Sequence, residues 1–285
     1  MNEKIVGVLL CAGKGLRLGK LTQSTPKPLL RIENLPFQST LNYSIHKLLK
    51  YGVDDLIIIT GYLGDKIDDY VSSNVRSSFS EDLTINVIDS EGEYQKGPLY
   101  SLLSIKKHSK LLNENSILLI IPGDTIFQES LFQVIIKIIK SIPSTLEEPL
   151  IFYKTVKKKD LTKKFKYIKD ISEKNISCVK FFRLSDKFDI LSEIYTRTLS
   201  KIRTDDIINE IFPIFVLPFS KFKLWINLAE RHEVKSIKNL ANYYCKSKHD
   251  ILAIKLKKAL EFYDIDFLSD MKNLEKKIEM DNRFQ

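Results

Sequence analysis

Residues 5–19 read Ile5-Val6-Gly7-Val8-Leu9-Leu10-Cys11-Ala12-Gly13-Lys14-Gly15-Leu16-Arg17-Leu18-Gly19, an apolar run that empties into a loop of glycines and cations. Continuous apolarity over Ile5–Leu10 is the pattern of a strand covered on both faces, and loop chemistry follows it as far as Pro28. Gly13 and Gly15 remove side chains so that backbone N–H groups can approach a phosphate chain, and Lys14, Arg17 and Lys27 bring positive charge to it. A triphosphate fits such a loop. In the dinucleotide fingerprint the third glycine comes one residue earlier and opens directly into a helix, and the Gly-Lys-Ser/Thr ending of a Walker loop is absent. Alone, the glycines and Arg17 would suit a flexible basic loop; their pairing with Pro26-Lys27-Pro28-Leu29-Leu30 is much more specific.

Outward from this loop, apolar strands alternate with amphipathic helices. Leu41, Ile45, Leu48 and Leu49 fall at helical spacing before Gly52, and Leu56–Ile59 is the next strand. A short helix through Ile67 and Val71, a strand over Leu83–Ile88, a helix over Leu99–Lys107 and a strand over Ile117–Ile121 follow, the last ending at Pro122-Gly123-Asp124. The second half is less regular. It predicts a helix over Phe127–Ile142, a strand over Leu150–Val156, two strands between Phe165 and Leu184 and a helix over Asp186–Ile211. A strand over Phe212–Leu217, a helix over Phe222–Glu230, a strand over Ile251–Leu256 and a closing helix over Leu268–Met280 complete the reading. Alternation of this kind implies an α/β fold with a Rossmann-like mixed, mostly parallel sheet flanked by helices. No repeat or low-complexity linker interrupts it, so residues 1–285 are expected to form a single domain, with a nucleotide-binding half over 1–125 and an acceptor-binding half and C-terminal helix over 126–285.

With 285 residues the chain is long enough for a sizeable core, and 44% hydrophobic against 28% charged residues excludes wholesale disorder. The formal charge of +9 favours anionic partners without choosing among them, and an A/T-rich codon bias would produce the same lysine excess. Cys11, Cys178 and Cys245 have neither disulfide-framework nor zinc-site spacing. With no leader-like start and no apolar stretch near bilayer length, a cytoplasmic location without membrane insertion is expected. The run Lys157-Lys158-Lys159 lacks interleaved aromatics and reads as a solvated edge, so no nucleic-acid partner is expected.

The loop and the Lys27 segment together resemble the nucleotidylyltransferases that activate sugar phosphates, the NDP-sugar pyrophosphorylases, whose signature is Leu-Ala-Ala-Gly-x-Gly-x-Arg-Leu followed by Lys-Pro-Leu-Leu. The likeness continues through Lys47–Ile67, returns at Gly123-Asp124, and reappears at Tyr263-Asp264-Ile265-Asp266-Phe267-Leu268-Ser269-Asp270, similar to the family's Asp-Ile-Asp-Thr-Pro-x-Asp. It implies a nucleotide-diphospho-sugar transferase type of fold and transfer of NMP from an NTP to a phosphorylated acceptor, a sugar 1-phosphate above all, with release of pyrophosphate. By the family's pattern Arg17 and Lys27 are catalytic, Arg17 on the β- and γ-phosphates and Lys27 between the α-phosphate and the acceptor phosphate. Leu10, Ala12, Gly13, Lys14, Gly15, Gln95 and Gly97 would bind the nucleotide. Asp124 matches the aspartate that binds magnesium, with Asp264 as second carboxylate and Asp266 ranked after it.

The acceptor half departs from the pattern. No Glu-Lys-Pro segment is present, and Asn209-Glu210-Ile211-Phe212-Pro213-Ile214-Phe215 stands where the family has Asn-x-Gly-Ile-Tyr. Pro98 replaces the usual threonine near the base. Nucleobase, acceptor and homo-oligomeric state are therefore open, a polyol phosphate or phosphorylated cofactor precursor being the alternative acceptors. Two other classes compete: a catalytically silent regulatory subunit that binds nucleotide or sugar nucleotide, against which Arg17, Lys27 and Asp124 argue, and a glycosyltransferase, which has no use for the basic glycine loop.

Overall fold

The first apolar run forms β1 (Lys4–Leu10), which pairs in parallel with β2 (Asp55–Thr60) on one side and β4 (Ser116–Pro122) on the other. The computed structural model describes residues 4–53, 55–76, 83–142, 147–168, 171–185 and 188–280. β3 (Thr84–Asp89) extends the parallel block beyond β2. Both faces of this block are covered, as the unbroken apolarity requires. Leu9, Leu56, Ile58, Leu119 and Ile121 face one core with α2 (Thr40–Lys50) and α5 (Glu129–Ser141). Val6, Val8, Ile57, Ile59, Leu118 and Ile120 face the other with α4 (Pro98–Leu103) and α7 (Phe219–Arg231).

β9 (Ile207–Pro218) pairs antiparallel with β4 and with β6 (Leu150–Lys157), carrying the sheet into the second half. There β10 (Leu252–Lys255) lies parallel to β6, and β8 (Asp189–Thr198) and β7 (Asn175–Arg183) complete the nine-stranded order β3-β2-β1-β4-β9-β6-β10-β8-β7. Cys178 of β7 also pairs with Glu210 of β9, so this end of the sheet curls back on itself. The mixed α/β architecture is the expected one, but among the described residues the sheet is not mostly parallel: four of its strand pairings are parallel, three of them in the first half, and five are antiparallel.

Two local expectations are corrected. Residues 186–211 are not a helix: β8 and the start of β9 occupy the described part, separated by a single turn over Leu199–Lys201, and residues 186–187 lie outside the described residues. Ladder pairing of β8 with β7 and β10 satisfies its backbone, and Ile190, Ile194, Tyr195, Thr196 and Thr198 suit a pleated surface. Between Phe165 and Leu184 there is one strand, β7, among the described residues; α6 (Lys158–Lys164) precedes it, and 169–170 lie outside the description. Among the described residues no helix is long and apolar enough to cross a membrane.

Candidate active site

The glycine loop leaves β1 at the carboxyl edge of the parallel block. The Cys11 N–H donates to the Ile59 carbonyl at 2.8 Å, the Tyr62 N–H to Ala12 at 3.2 Å and the Gly123 N–H to Leu10 at 2.9 Å, so the loop is tied to the ends of both neighbouring strands. Gly15 adopts φ +63°, and a Cβ there would stand 2.9 Å from the Thr22 methyl, whose hydroxyl donates back to the Gly15 carbonyl at 3.0 Å. The turn over Leu16–Leu18 that follows leaves Arg17 largely exposed, 5.3 Å over the Phe267 ring. Lys27, in contrast, is buried.

Asp124 follows β4 in a turn that only glycine permits at the preceding position: a Cβ on Gly123 would come within 2.3 Å of the Cys11 sulfur. Burial, reinforced by the Asp124 charge, pushes the Cys11 thiol far up, which keeps it a protonated packing group. Lys27 Nζ donates to Asp124 Oδ2 at 2.5 Å and to Asp266 Oδ1 at 3.3 Å, and Arg17 reaches Asp266 Oδ2 at 3.2 Å. Burial by itself would lower the Lys27 ammonium, but the two carboxylates, Asp124 foremost, outweigh it and hold the group above its ordinary value.

A small antiparallel pair brings the distant carboxylates here. β5 (Thr125–Phe127) pairs with β11 (Phe262–Asp264) so that Asp264 lies opposite Thr125, and the Ile265 N–H donates to the Asp124 carbonyl at 3.1 Å. The segment before β11 is anchored by Lys154, which donates to the Leu260 carbonyl at 2.8 Å, and the start of β11 by Lys164, which lies 3.7 Å over the Phe262 ring. Both lysines flank buried Glu210; burial opposes its charge, but they hold its carboxyl below the ordinary value. After β11, Asp270 at the start of α9 (Leu268–Met280) accepts from the Asp266 and Phe267 N–H groups at 3.1 and 2.9 Å, which sets the direction of Asp266. Asp264 accepts the Thr125 hydroxyl at 2.6 Å. Withdrawal from water and the charges of Asp124 and Asp266 raise its carboxyl above the usual range despite that bond.

Two cavities meet at these carboxylates. The smaller, about 370 Å³, is lined by the loop residues Gly13–Arg17 with Lys27, Asp124 and Asp266. The larger, about 690 Å³, has Asp124, Asp264 and Asp266 at one side and Tyr94, Ile120, Pro213 and Phe215 as apolar wall. Leu10 and Gly13 border both, and Ala12 the larger one. Lys14 lies at the exposed lip, 6.0 Å from the Tyr94 ring. Gln95 is exposed, and neither it nor Gly97 lines either cavity; their neighbours Tyr94 and Pro98 do.

Sequence reasoning missed α8 (Ile237–Lys246), whose first turn supplies Lys238 and Asn239 to the larger cavity. Its signal was Ser236, a good N-cap that accepts from the Asn239 N–H, followed by apolar positions at Leu240, Ala241 and Tyr244.

The fold of this mixed sheet, with the glycine loop at its parallel edge, is of the nucleotide-diphospho-sugar transferase type. Overlay on a crystal structure of UDP-glucose pyrophosphorylase complexed with UDP-glucose gives a TM-score of 0.69 over 99% of this chain and 100% of that one, at 13% identity, and so speaks for the fold. By sequence the chain belongs to the family described as a domain of unknown function (DUF6564), whose model matches residues 27–186. It is also similar to the bifunctional protein GlmU of Methanococcus maripaludis, 30% identical over 45% of this chain and 26% of the relative. D-glycero-alpha-D-manno-heptose 1-phosphate guanylyltransferase of Aneurinibacillus thermoaerophilus is 32% identical over 42% of this chain and 46% of its own length. The chain thus matches less than half the length of these curated relatives, and the resemblance to sugar-phosphate nucleotidylyltransferases holds.

Proposed function

We propose that the chain transfers NMP from an NTP to a phosphorylated small-molecule acceptor, a sugar 1-phosphate in the first instance, acting as a single nucleotidyltransferase domain in the cytoplasm. The observation that carries this reading is the buried Lys27 ammonium held between Asp124 and Asp266 at the junction of the cation-lined loop cleft and the larger cavity. In the reaction an acceptor phosphate oxygen bonds to the α-phosphorus while the bond from that phosphorus to the bridging oxygen breaks, and the electron pair leaves with pyrophosphate. Positioning and charge stabilisation suffice for such chemistry. The N–H groups and cations of the loop hold the triphosphate, Arg17 meets the charge of the departing pyrophosphate, and Lys27 faces the charge growing on the reacting phosphates.

The donor set suits magnesium. Among the described residues no group of three or more histidine, cysteine or carboxylate side chains forms a ready-made metal cage, but magnesium takes one or two carboxylates and completes its shell with phosphate oxygens and water. Asp124, Asp264 and Asp266 gather on the lining of one cavity, a concentration of carboxylates that a hard cation would relieve. Asp124 and Asp266 line both cavities whereas Asp264 lines only the larger, so the geometry favours Asp124 with Asp266 as the pair that would hold the ion, and Asp264 as their neighbour. Bound there, magnesium would neutralise charge on the triphosphate.

The test is a panel of the four common triphosphates against sugar 1-phosphates, polyol phosphates and cofactor-precursor phosphates, with pyrophosphate and product mass recorded. Magnesium-dependent pyrophosphate release with at least one pair is expected. Triphosphate binding without release in any pair would leave a silent regulatory subunit.

A further inference from the structure

The larger cavity is lined by three carboxylates and, among the described residues, by one cation, Lys238. Lys14, Arg17 and Lys27 of the loop line the smaller cleft and not the larger cavity. Lys238 is held in place. Four residues further along α8, on the same face of the helix, Asn242 makes two hydrogen bonds to the backbone of β8: its amide donates to the Ile194 carbonyl at 2.8 Å and accepts from the Ile194 N–H at 2.7 Å. The Lys238 ammonium meets the Ser177 hydroxyl at 2.5 Å, opposite Thr196 in the β7–β8 ladder, and Thr196 itself lines the cavity. Among the described residues no carboxylate stands within ion-pair distance of it. Partial burial pushes the ammonium down, and the more distant Asp264 only partly restores it. A half-buried cation with a hydroxyl for a partner, fixed on the wall of a ligand-sized cavity, is short of an anion.

We propose that Lys238 receives the phosphate monoester of the acceptor, on the wall of the larger cavity contributed by α8 and β8. This deepens the transferase reading and rests on it for the identity of the ligand. The triphosphate occupies the loop cleft, so a second anion entering the larger cavity past Asp124, Asp264 and Asp266 needs a compensating charge within that cavity, and Lys238 supplies it. An acceptor without a phosphate would leave the ammonium unpaired. Lys238 thus meets the acceptor phosphate from the α8 side of the larger cavity, while Lys27 meets the reacting phosphates from the loop cleft.

The experiment compares wild type with Lys238→Met, which keeps length and removes charge, and with Lys238→Arg. With pyrophosphate saturating the loop cleft, inorganic phosphate and glucose 1-phosphate are titrated and followed by ³¹P NMR and calorimetry. Lys238→Met should weaken both by about tenfold or more, and Lys238→Arg by less than about threefold. In turnover with the best acceptor, Lys238→Met should raise the acceptor KM by about tenfold while kcat and the triphosphate KM stay within about threefold. Equal phosphate affinity in Lys238→Met and wild type, or no binding of either probe to wild type at about 10 mM, overturns the assignment. Loss of triphosphate affinity in its place would make Lys238 a nucleotide contact and also overturn it. Lys238-dependent phosphate binding in a wild type that releases no pyrophosphate with any acceptor would uphold the site and reject the transferase reading.

Discussion

The two cavities that meet at Asp124 and Asp266 differ in electrical character and in origin. The cationic side of the loop cleft is built by short-range sequence, with Gly13–Arg17 and Lys27 within 15 positions of one another, and its cations suit a polyanion whatever base it carries. The larger cavity adds β5, β8, β9, α8 and β11 to the ends of β1, β4 and α4, mixes, among the described residues, three carboxylates with one lysine, and carries apolar walls at Pro213 and Phe215. Phosphate chemistry is the same for every triphosphate, so the first region can be generic. On the proposed reading, selection among acceptors needs a shaped wall, and Pro213 and Phe215 of that wall lie in the segment that departs from the sugar-activating pattern.

The sharpest way to break the comparison is Lys27→Ala. If Lys27 serves the reacting phosphates and not mere retention, kcat should fall by about 100-fold or more with triphosphate affinity changed by only a few-fold. Equal losses in both would make Lys27 another member of the generic cleft. Next comes a control distant from either cavity. Glu129 accepts from Lys47, from Lys50 at 2.5 Å and from the Tyr51 hydroxyl at 2.8 Å, clamping α5 to α2. Burial opposes its charge, but those bonds hold its carboxyl at about 2, below the ordinary 4.5. A depressed carboxylate stabilises fully above its unfolded value, and that contribution is lost as pH falls from about 4.5 toward 2. Glu129→Gln should therefore cost about 2 kcal/mol at neutral pH and flatten the acid limb of the stability profile in that window, with pyrophosphate release unchanged. Thermal melts across pH, set beside turnover, decide it.

A smaller effect tests the junction itself. Asp124→Asn and Asp266→Asn should each weaken magnesium activation by about tenfold, and the double variant should lose less than the product because both would act on one ion. Additive losses, or a larger effect for Asp264→Asn than for Asp266→Asn, would return the second place to Asp264. Smallest of all, Gln95→Ala should change the triphosphate KM by less than about threefold, since the exposed Gln95 side chain borders neither cavity. A larger change would mean that the 93–97 segment closes over the base.

The first half was legible because its signals are local. Ile5–Leu10, Leu56–Ile59 and Ile117–Ile121 are apolar without interruption, and such runs need cover on both faces wherever they fall in a sheet. Residues 189–198 and 237–246 carried weaker patterns: β8 is a strand through its partners β7 and β10, and α8 hid among polar residues that face solvent.

Sequence alone thus determined the glycine loop, the parallel block beneath it, and Arg17, Lys27 and Asp124 as charged groups near its cleft, because glycine, proline and charge act within a few residues of themselves. Only the tertiary structure decided which late aspartate meets Lys27 and that Lys238 looks into the second cavity. Those facts depend on the pairing of Thr125–Phe127 with Phe262–Asp264 and on Asn242 bonding to Ile194, contacts between segments 137 and 48 positions apart, whose register no local propensity encodes.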